Sequence, residues 1–290
     1  MRAGADLARF QAERPRLRRL AYRMLGSVAE AEDVVQDAWL RWSRATDEVE
    51  DAAAWLVRVT TRLCLDRLRA ARARRLAYRG PWLPEPLIEE APVDPAERAE
   101  DVSVAFLLAL ERLSPLERAV FLLHEVFDED YAKVAQTLGR SEAAVRQLAK
   151  RAKTHVQSAR PRFAPDAALA ERLMSAFLSA AAGGDVSALR ELLAQDVVMI
   201  TDGGGQRSAA LRPLVGQEDV LRLIRGLAWR EAVAAIPPPE VRAATINGAP
   251  GLILRRADGP TTLVVQPDSE GRIAALYLVR NPEKLRHLAG

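Results

Sequence analysis

Apolar residues recur at helical spacing from the first residues of the chain. Leu17, Leu20, Ala21, Met24 and Leu25 fall at i, i+3, i+4, i+7 and i+8, and Gly26-Ser27 then breaks the run. Ala31, Val34, Val35, Ala38 and Trp42 form a second stripe, with Glu32, Asp33, Gln36 and Asp37 on the facing side. A third helix is predicted from about Ala52 to Arg75, with Trp55, Leu56, Val59 and Leu63 inward and arginines increasingly outward. Residues 8 to 70 thus read as helical throughout.

The pattern stops at residues 76 to 100. Pro81, Pro84, Pro86, Pro92 and Pro95 remove backbone donors and disfavour helix at each preceding residue, which predicts a stiff, extended linker. Within it, Trp82 and Leu83 lie where no regular element can bury them. Helical signals resume with Val102, Phe106, Ala109, Leu110 and Leu113. Ser114-Pro115-Leu116-Glu117 is a capping box with proline at the first helical position, predicting a helix that runs to about Phe127.

In residues 130 to 156, Asp130 can cap a short helix that buries Tyr131, Val134 and Leu138. Gly139 can end that helix in the left-handed region, and Ser141 can cap the next. Val145, Leu148, Ala149 and Ala152 face inward on the second helix and leave Arg146, Gln147, Lys150 and Lys153 outward. Arginine or lysine can donate to guanine O6 and N7, glutamine can pair with adenine, and other cations can neutralise phosphates. A helix-turn-helix with that outward face fits the major groove of DNA.

After Pro161 and Pro165 the pattern changes again. A helix of about Ala167 to Ala182 ends at Gly183-Gly184, and Asp185 can cap another. Short β-like runs follow at Val197 to Thr201, Leu252 to Arg256, Thr261 to Gln266 and Ile273 to Val279, with turn residues between the later ones. This part reads as α+β, a curved sheet wrapped around helices.

Composition narrows the function classes. At 290 residues with 49% hydrophobic residues, the chain can build two or three packed domains. Net charge is only +3, yet its distribution is uneven. Arg67, Arg69, Arg72, Arg74, Arg75 and Arg79 form one acid-free run. Arg140, Arg146, Lys150, Arg151, Lys153, Arg160 and Arg162 form a second basic block, and residues 85 to 101 between them are mostly acidic. Two basic blocks about an acidic joint point to a polyanion partner. The single cysteine, Cys64, excludes an intrachain disulfide and a cysteine-rich zinc site. No secretory pattern opens the chain and no apolar run is long enough for a membrane span, so a cytoplasmic location without membrane contact is expected.

Residues 8 to 158 resemble a sigma factor of the extracytoplasmic-function group, the bacterial subunits that recruit core RNA polymerase to promoters. AEAEDVVQDAWLRW is similar to that family's polymerase-binding helix, AAWLVRVTTRLCLDRLRAARARR to its −10 helix, and SPLERAVFLLHEVF with the helix-turn-helix to its −35 reader. The last part resembles a SnoaL-like extension, a cone-shaped α+β fold fused to one subgroup. In that subgroup a WLPEP-like linker motif, a DGGG motif and a terminal NPxKL motif occur together, and here they stand at residues 82–86, 202–205 and 281–285. Gln206 departs from the pattern, which has a basic residue after the glycines.

The resemblance implies a multidomain fold of two all-α sigma domains, the second with the helix-turn-helix, followed by a SnoaL-like α+β barrel. The expected divisions are region 2 at residues 1–76, a linker at 77–101, region 4 at 102–160 and the SnoaL-like domain at 166–290. Core RNA polymerase and promoter DNA are the implied partners. Glu32, Asp33, Gln36 and Asp37 would face polymerase. Trp55, Arg58, Thr61, Arg62, Asp66, Arg69 and Arg72 would meet the −10 element, where cations follow the backbone and a pocket can hold an unstacked base, although Trp55 reads equally as a core residue. Arg140, Ser141, Arg146, Gln147, Lys150, Arg151 and Lys153 would meet the −35 element.

Interdomain regulation would fall to Trp82, Leu83, Pro84, Glu85 and Pro86, to Asp202, Gly203, Gly204 and Gly205, and to Asn281, Pro282, Lys284 and Leu285. In that reading the third domain grips the linker. No cofactor, metal or catalytic residue is expected, because no histidine lies between His155 and His287 and no nucleophile motif is present. SnoaL-like folds often enclose an apolar pocket, which leaves open a small-molecule ligand there. Two other classes compete: a ligand-responsive helix-turn-helix regulator acting without core polymerase, and a SnoaL-type enzyme with a DNA-binding arm.

Overall fold

The computed structural model describes residues 2–45, 49–89, 102–159 and 167–288. Two compact units make up the chain, one of Met1–Ala77 and Ala105–Arg160, the other of Tyr78–Val104 and Pro161–Gly290.

The first unit is helical. Its elements are α1 (Arg2–Leu25), α2 (Val28–Ser43), α3 (Ala52–Leu76), α4 (Val104–Glu111), α5 (Pro115–Phe121), α6 (Tyr131–Leu138) and α7 (Glu142–Ala159). Ser27 caps α2 by accepting the Glu30 amide at 3.2 Å. The capping box at α5 is reciprocal: the Glu117 amide donates to Ser114 Oγ, and the Ser114 amide donates to the Glu117 carboxylate at 3.1 Å. The single long helix expected after Ser114 is instead interrupted. After Phe121 it widens into a π-helical turn, Leu122–Val126.

On α3, Leu56, Val57, Thr60, Thr61, Leu63, Cys64, Leu65, Leu68 and Ala71 are all buried. At about 100° per residue they span roughly 200° of the helix, twice the stripe of a surface helix. The reason is that α3 packs against α1 and α2 and also against α5 and α6. Burial pushes the Cys64 thiol far above its ordinary value, so it behaves as a small apolar side chain.

Arg118 on α5 joins the two halves of this unit. Its side chain is 3% exposed, pairs with Glu111 at 2.6 Å and donates to the Met24 carbonyl in the last turn of α1 at 2.7 Å. That carbonyl has no partner of its own within the helix. Burial pushes the guanidinium pKa down to about 10, still charged at neutral pH. Arg16 reaches Glu129 at 2.6 Å, and Arg23 lies 5.6 Å from the Phe127 ring centre.

The second unit contains α8 (Ala167–Gly183), α9 (Val186–Leu192), α10 (Gln217–Val233) and one seven-stranded sheet. The strands are β1 (Ile88–Glu89), β2 (Leu193–Asp202), β3 (Leu214–Val215), β4 (Glu240–Ile246), β5 (Ala249–Arg256), β6 (Gly259–Pro267) and β7 (Ile273–Val279). Their order is β1-β4-β5-β6-β7-β2-β3, antiparallel except for β2 beside β7. Leu173, Met174 and Phe177 of α8 meet Leu189, Val220, Leu221 and inward residues of β2, β5, β6 and β7, including Val197, Met199, Leu252, Leu263 and Leu276. Apolar side chains fill the interior.

Four strands agree with the apolar runs in the sequence. β1, β3, β4 and α10 do not, and β4 shows why: residues 240 to 243 are exposed, so the strand lacks an apolar face. The proline-rich linker is not wholly without regular structure either, since β1 joins the sheet edge with Ile88 opposite Ile246. Among the described residues, no helix is long and apolar enough to cross a membrane. None of their His, Cys, Asp or Glu side chains gather as a metal site.

Replacing Arg118 with alanine is expected to cost the helical unit about 3–5 kcal/mol, because the Glu111 carboxylate stays behind without its guanidinium. A lowered urea midpoint for the transition that exposes Trp42 and Trp55 checks this.

Candidate functional site

Local signals build the helix-turn-helix. Asp130 accepts the Lys133 amide at 2.7 Å, Gly139 ends α6 at φ 62°, and Ser141 Oγ accepts the Ala144 amide at 3.3 Å. Val145, Ala149, Ala152 and Val156 are buried, which leaves Arg140, Ser141, Arg146, Gln147, Lys150, Arg151 and Lys153 exposed. Arg151 pairs with Glu117 at 3.0 Å, Lys153 with Glu125 at 3.0 Å, and Arg146 with Glu142. Arg146 also lies 5.1 Å from the centre of the Tyr131 ring, which stacks on His124. Exposed pairs of this kind are worth about 0–1 kcal/mol, so phosphates can displace them.

The open arc of α3 holds Trp55, Arg58, Arg62, Asp66 and Arg69 together. Trp55 packs on Trp42 at 5.3 Å, and Asp66 pairs with Arg69 at 3.0 Å. Thr61 requires a correction. It is fully buried and its hydroxyl donates to the Val57 carbonyl at 2.8 Å, so it offers nothing to a base in this conformation. Its position lies about 100° from that of Arg62, inside the arc that α3 buries. The Arg72 side chain falls outside the described residues.

On α2 the acidic face is already engaged. Glu32 meets Arg14 at 2.9 Å and Arg18 at 3.3 Å, while Arg67 meets Asp33 at 3.4 Å and Asp37 at 3.1 Å. Gln36 is exposed, and one turn beyond it Leu40 is exposed as well.

Three separate stretches of sequence meet at Asp202. Its side chain is 0% exposed at the end of β2. Oδ1 accepts the Tyr78 hydroxyl at 2.5 Å and the Gly204 amide at 2.9 Å. Oδ2 accepts the Leu83 amide at 2.9 Å and Lys284 Nζ at 2.7 Å. Lys284, 12% exposed, donates again to the Leu83 carbonyl and lies 4.3 Å from the Trp82 ring centre. Asn281 Nδ2 donates to the Tyr78 oxygen at 2.8 Å. Gly204, at φ 63°, has no room for a side chain, since a Cβ there would overlap the Asn281 carboxamide. Burial, then the Asp202 carboxylate, pushes the Tyr78 phenol well above its usual range, so it remains a donor.

Around this centre Leu83 is 0% exposed, Pro84, Glu85 and Pro86 are buried, and Trp82 is half-buried beneath Lys284. Leu285 is buried at the C-terminal end. Gln206, off the subgroup pattern, donates to Glu283 at 3.3 Å.

A second anchor lies at Asn247, in the β4–β5 turn at φ 53°. Its Oδ1 accepts the Leu87 amide at 3.3 Å, its own amide donates to the Leu87 carbonyl at 2.9 Å, and Nδ2 donates to the Val102 carbonyl at 3.0 Å. One side chain therefore fastens both sides of residues 90–101. Asn247 and Tyr78 are absent from the sequence-based candidates. Asn247 lies outside the β-like runs read from the sequence, and Tyr78 follows a run of arginines.

Replacing Asp202 with asparagine removes the charge partner of Lys284 and should cost the docked linker about 3–5 kcal/mol. Gly204→Ala should act in the same direction without changing charge. Hydrogen exchange at the Leu83 amide reads both, with an expected acceleration of about a hundredfold or more.

Comparison with known proteins agrees with this architecture. The profile described as Sigma-70 region 2 matches residues 9–74, and that described as Sigma-70, region 4 matches residues 103–156. The ECF RNA polymerase sigma factor SigJ of Mycobacterium tuberculosis is 39% identical over 295 residues, which covers 96% of this chain and 93% of that protein. From the same organism, the ECF RNA polymerase sigma factor SigG is 33% identical over 206 residues, covering 61% of this chain and 56% of that protein. The crystal structure of SigJ superposes with a TM-score of 0.76 at 34% identity, covering 97% of this chain and 98% of that one. A regulator acting without polymerase is thereby set aside, since it has no need of a region 2. With both regions present in order and a relative matching nearly end to end, the chain belongs to the extracytoplasmic-function sigma factors of the sigma-70 family, with a SnoaL-like C-terminal extension.

Proposed function

We propose that this sigma factor is regulated in cis by its own third domain, which holds the linker between regions 2 and 4 and so limits their separation. The convergence of Tyr78, Leu83 and Lys284 on the buried Asp202 supports this above all. Elements centred about 25 base pairs apart lie about 85 Å apart along B-DNA. A compact body the length of the helical unit has a radius of gyration of about 14 Å, too small to reach both. Helices α1–α3 and α4–α7 must therefore part, which breaks the contacts of Arg118 with Met24 and of Arg16 with Glu129.

Chain length then gives the sign of regulation. Residues 78–104, fully extended, reach about 90 Å, enough for that separation. Held at Tyr78, Leu83, Leu87 and Val102, they cannot extend. The docked linker is restrictive and its release permissive. Core polymerase would meet α2 through Asp33, Gln36, Asp37 and Leu40. The −10 strand would follow Trp55, Arg58, Arg62, Asp66 and Arg69, and the −35 major groove would receive α7. The third domain would act by holding the linker at Asp202 and Asn247.

Run-off transcription with bacterial core polymerase, on promoters selected by the full chain, tests the reading. Asp202→Asn should raise transcript yield severalfold over the unaltered chain, and unchanged yield with a released linker would remove the proposal. In binding assays with holoenzyme, Arg146→Ala should cost about 1–3 kcal/mol and relax preference at one base pair. Lys150→Ala should instead weaken all sequences alike and lower the salt slope by about one.

A further inference from the structure

Between the start of the linker and residues 201–211 lies a cavity of about 340 Å³. Sites for small molecules run from about 300 to 1,000 Å³. Arg79, Gly80 and Pro81 form the linker wall, and Thr201, Ser208 and Leu211 belong to the opposite one. Thr201 Oγ1 accepts the Ala210 amide at 2.8 Å, which pins that opposite wall in place. Leu211 is exposed, within van der Waals distance of a Cβ placed on Gly80, and gives the cavity an apolar rim.

Charge is one-sided there. Among the described residues that line the cavity are Arg79 and Arg207 and no carboxylate, and of the two arginines Arg207 has its charge matched by Asp258 outside the lining. Arg79 is exposed, with its stem laid over Gly205, where an added Cβ would sit 3.2 Å from the arginine Cβ and 3.5 Å from its Cδ. Among the described residues no acid is paired with it. The Arg207 side chain is 9% exposed and fixed by donating to the Pro260 carbonyl at 2.6 Å. Its Nη2 makes no hydrogen bond and lies 3.2 Å from Asp258. One unpaired guanidinium at Arg79, the exposed Ser208 and an apolar rim suit an anionic head on an apolar body.

We propose that this cavity binds a small organic anion, a single carboxylate or phosphate group beside an apolar group, and that the bound anion holds the linker docked. It rests on the clamp reading above. Because the ligand touches linker and domain together, it binds only the docked state and stabilises that state by mass action. The cavity begins one residue from Tyr78 and includes Pro81, next to Trp82, so its occupant bears directly on the Asp202 centre.

The full chain is titrated calorimetrically with phenyl phosphate, with benzoate and with neutral benzyl alcohol, and Leu83 amide exchange is followed in parallel. At least one anion should bind saturably and slow that exchange, the tighter one identifying the head group, while the alcohol does neither. Arg79→Gln, an exposed change that spares the core, should weaken binding about tenfold or more, with Arg79→Lys between. Absence of saturable anion binding overturns the proposal, as does binding that Arg79→Gln leaves unchanged or that leaves Leu83 exchange unaltered. Asp202→Asn separates the two ideas. If it speeds Leu83 exchange while neither anion has any effect, the clamp stands and the ligand does not.

Discussion

A carboxylate with no access to water is the constraint on which the second unit depends. Burying Asp202 as an ion is unfavourable unless donors surround it, and the chain supplies four. One is the amide of its own glycine turn. The others come from Tyr78 and Leu83, more than a hundred residues earlier, and from Lys284 near the C-terminus. Satisfying one charge therefore ties the linker, the end of β2 and the C-terminal turn into one structure. Trp82 is held as a consequence, its ring under Lys284, which no short sequence window could have arranged.

The helical unit uses the same physics for a different purpose. Arg118 is buried between a carboxylate and a helix-end carbonyl, and it joins the segments that the proposed opening would separate. Buried ion pairs add little net stability against apolar packing, yet breaking one is costly. Such a contact suits a state that is specific and closed. α3 reflects this as well, since its buried arc is wide enough for two sets of neighbours while Trp55, Arg58, Arg62, Asp66 and Arg69 stay open.

Much of this was legible in the sequence because the determinants are local. Caps at Ser114, Asp130, Ser141 and Asp185, and the left-handed Gly139, mark helix ends through bonds within four residues. Apolar periodicity marked α1 to α3 and four strands. β4 was illegible because its exposed residues follow no alternation, and its place comes from pairing with β5 and β1. Thr61 was placed outward because periodicity alone does not show how wide an arc of α3 is buried until its second set of neighbours is known.

By itself, the sequence determined the order of the domains, the helix-turn-helix and its outward cations, and the three short motifs that resemble one subgroup. Those follow from spacing, capping and residue type, which act over a few residues. Tertiary structure alone decided that the motifs meet, that Asp202 is the atom-level centre, that Asn247 fastens Leu87 and Val102, and that Arg118 joins α5 to α1. The reason is physical: a buried charge or amide needs partners at about 3 Å, and those partners can lie anywhere along the chain that the fold brings near.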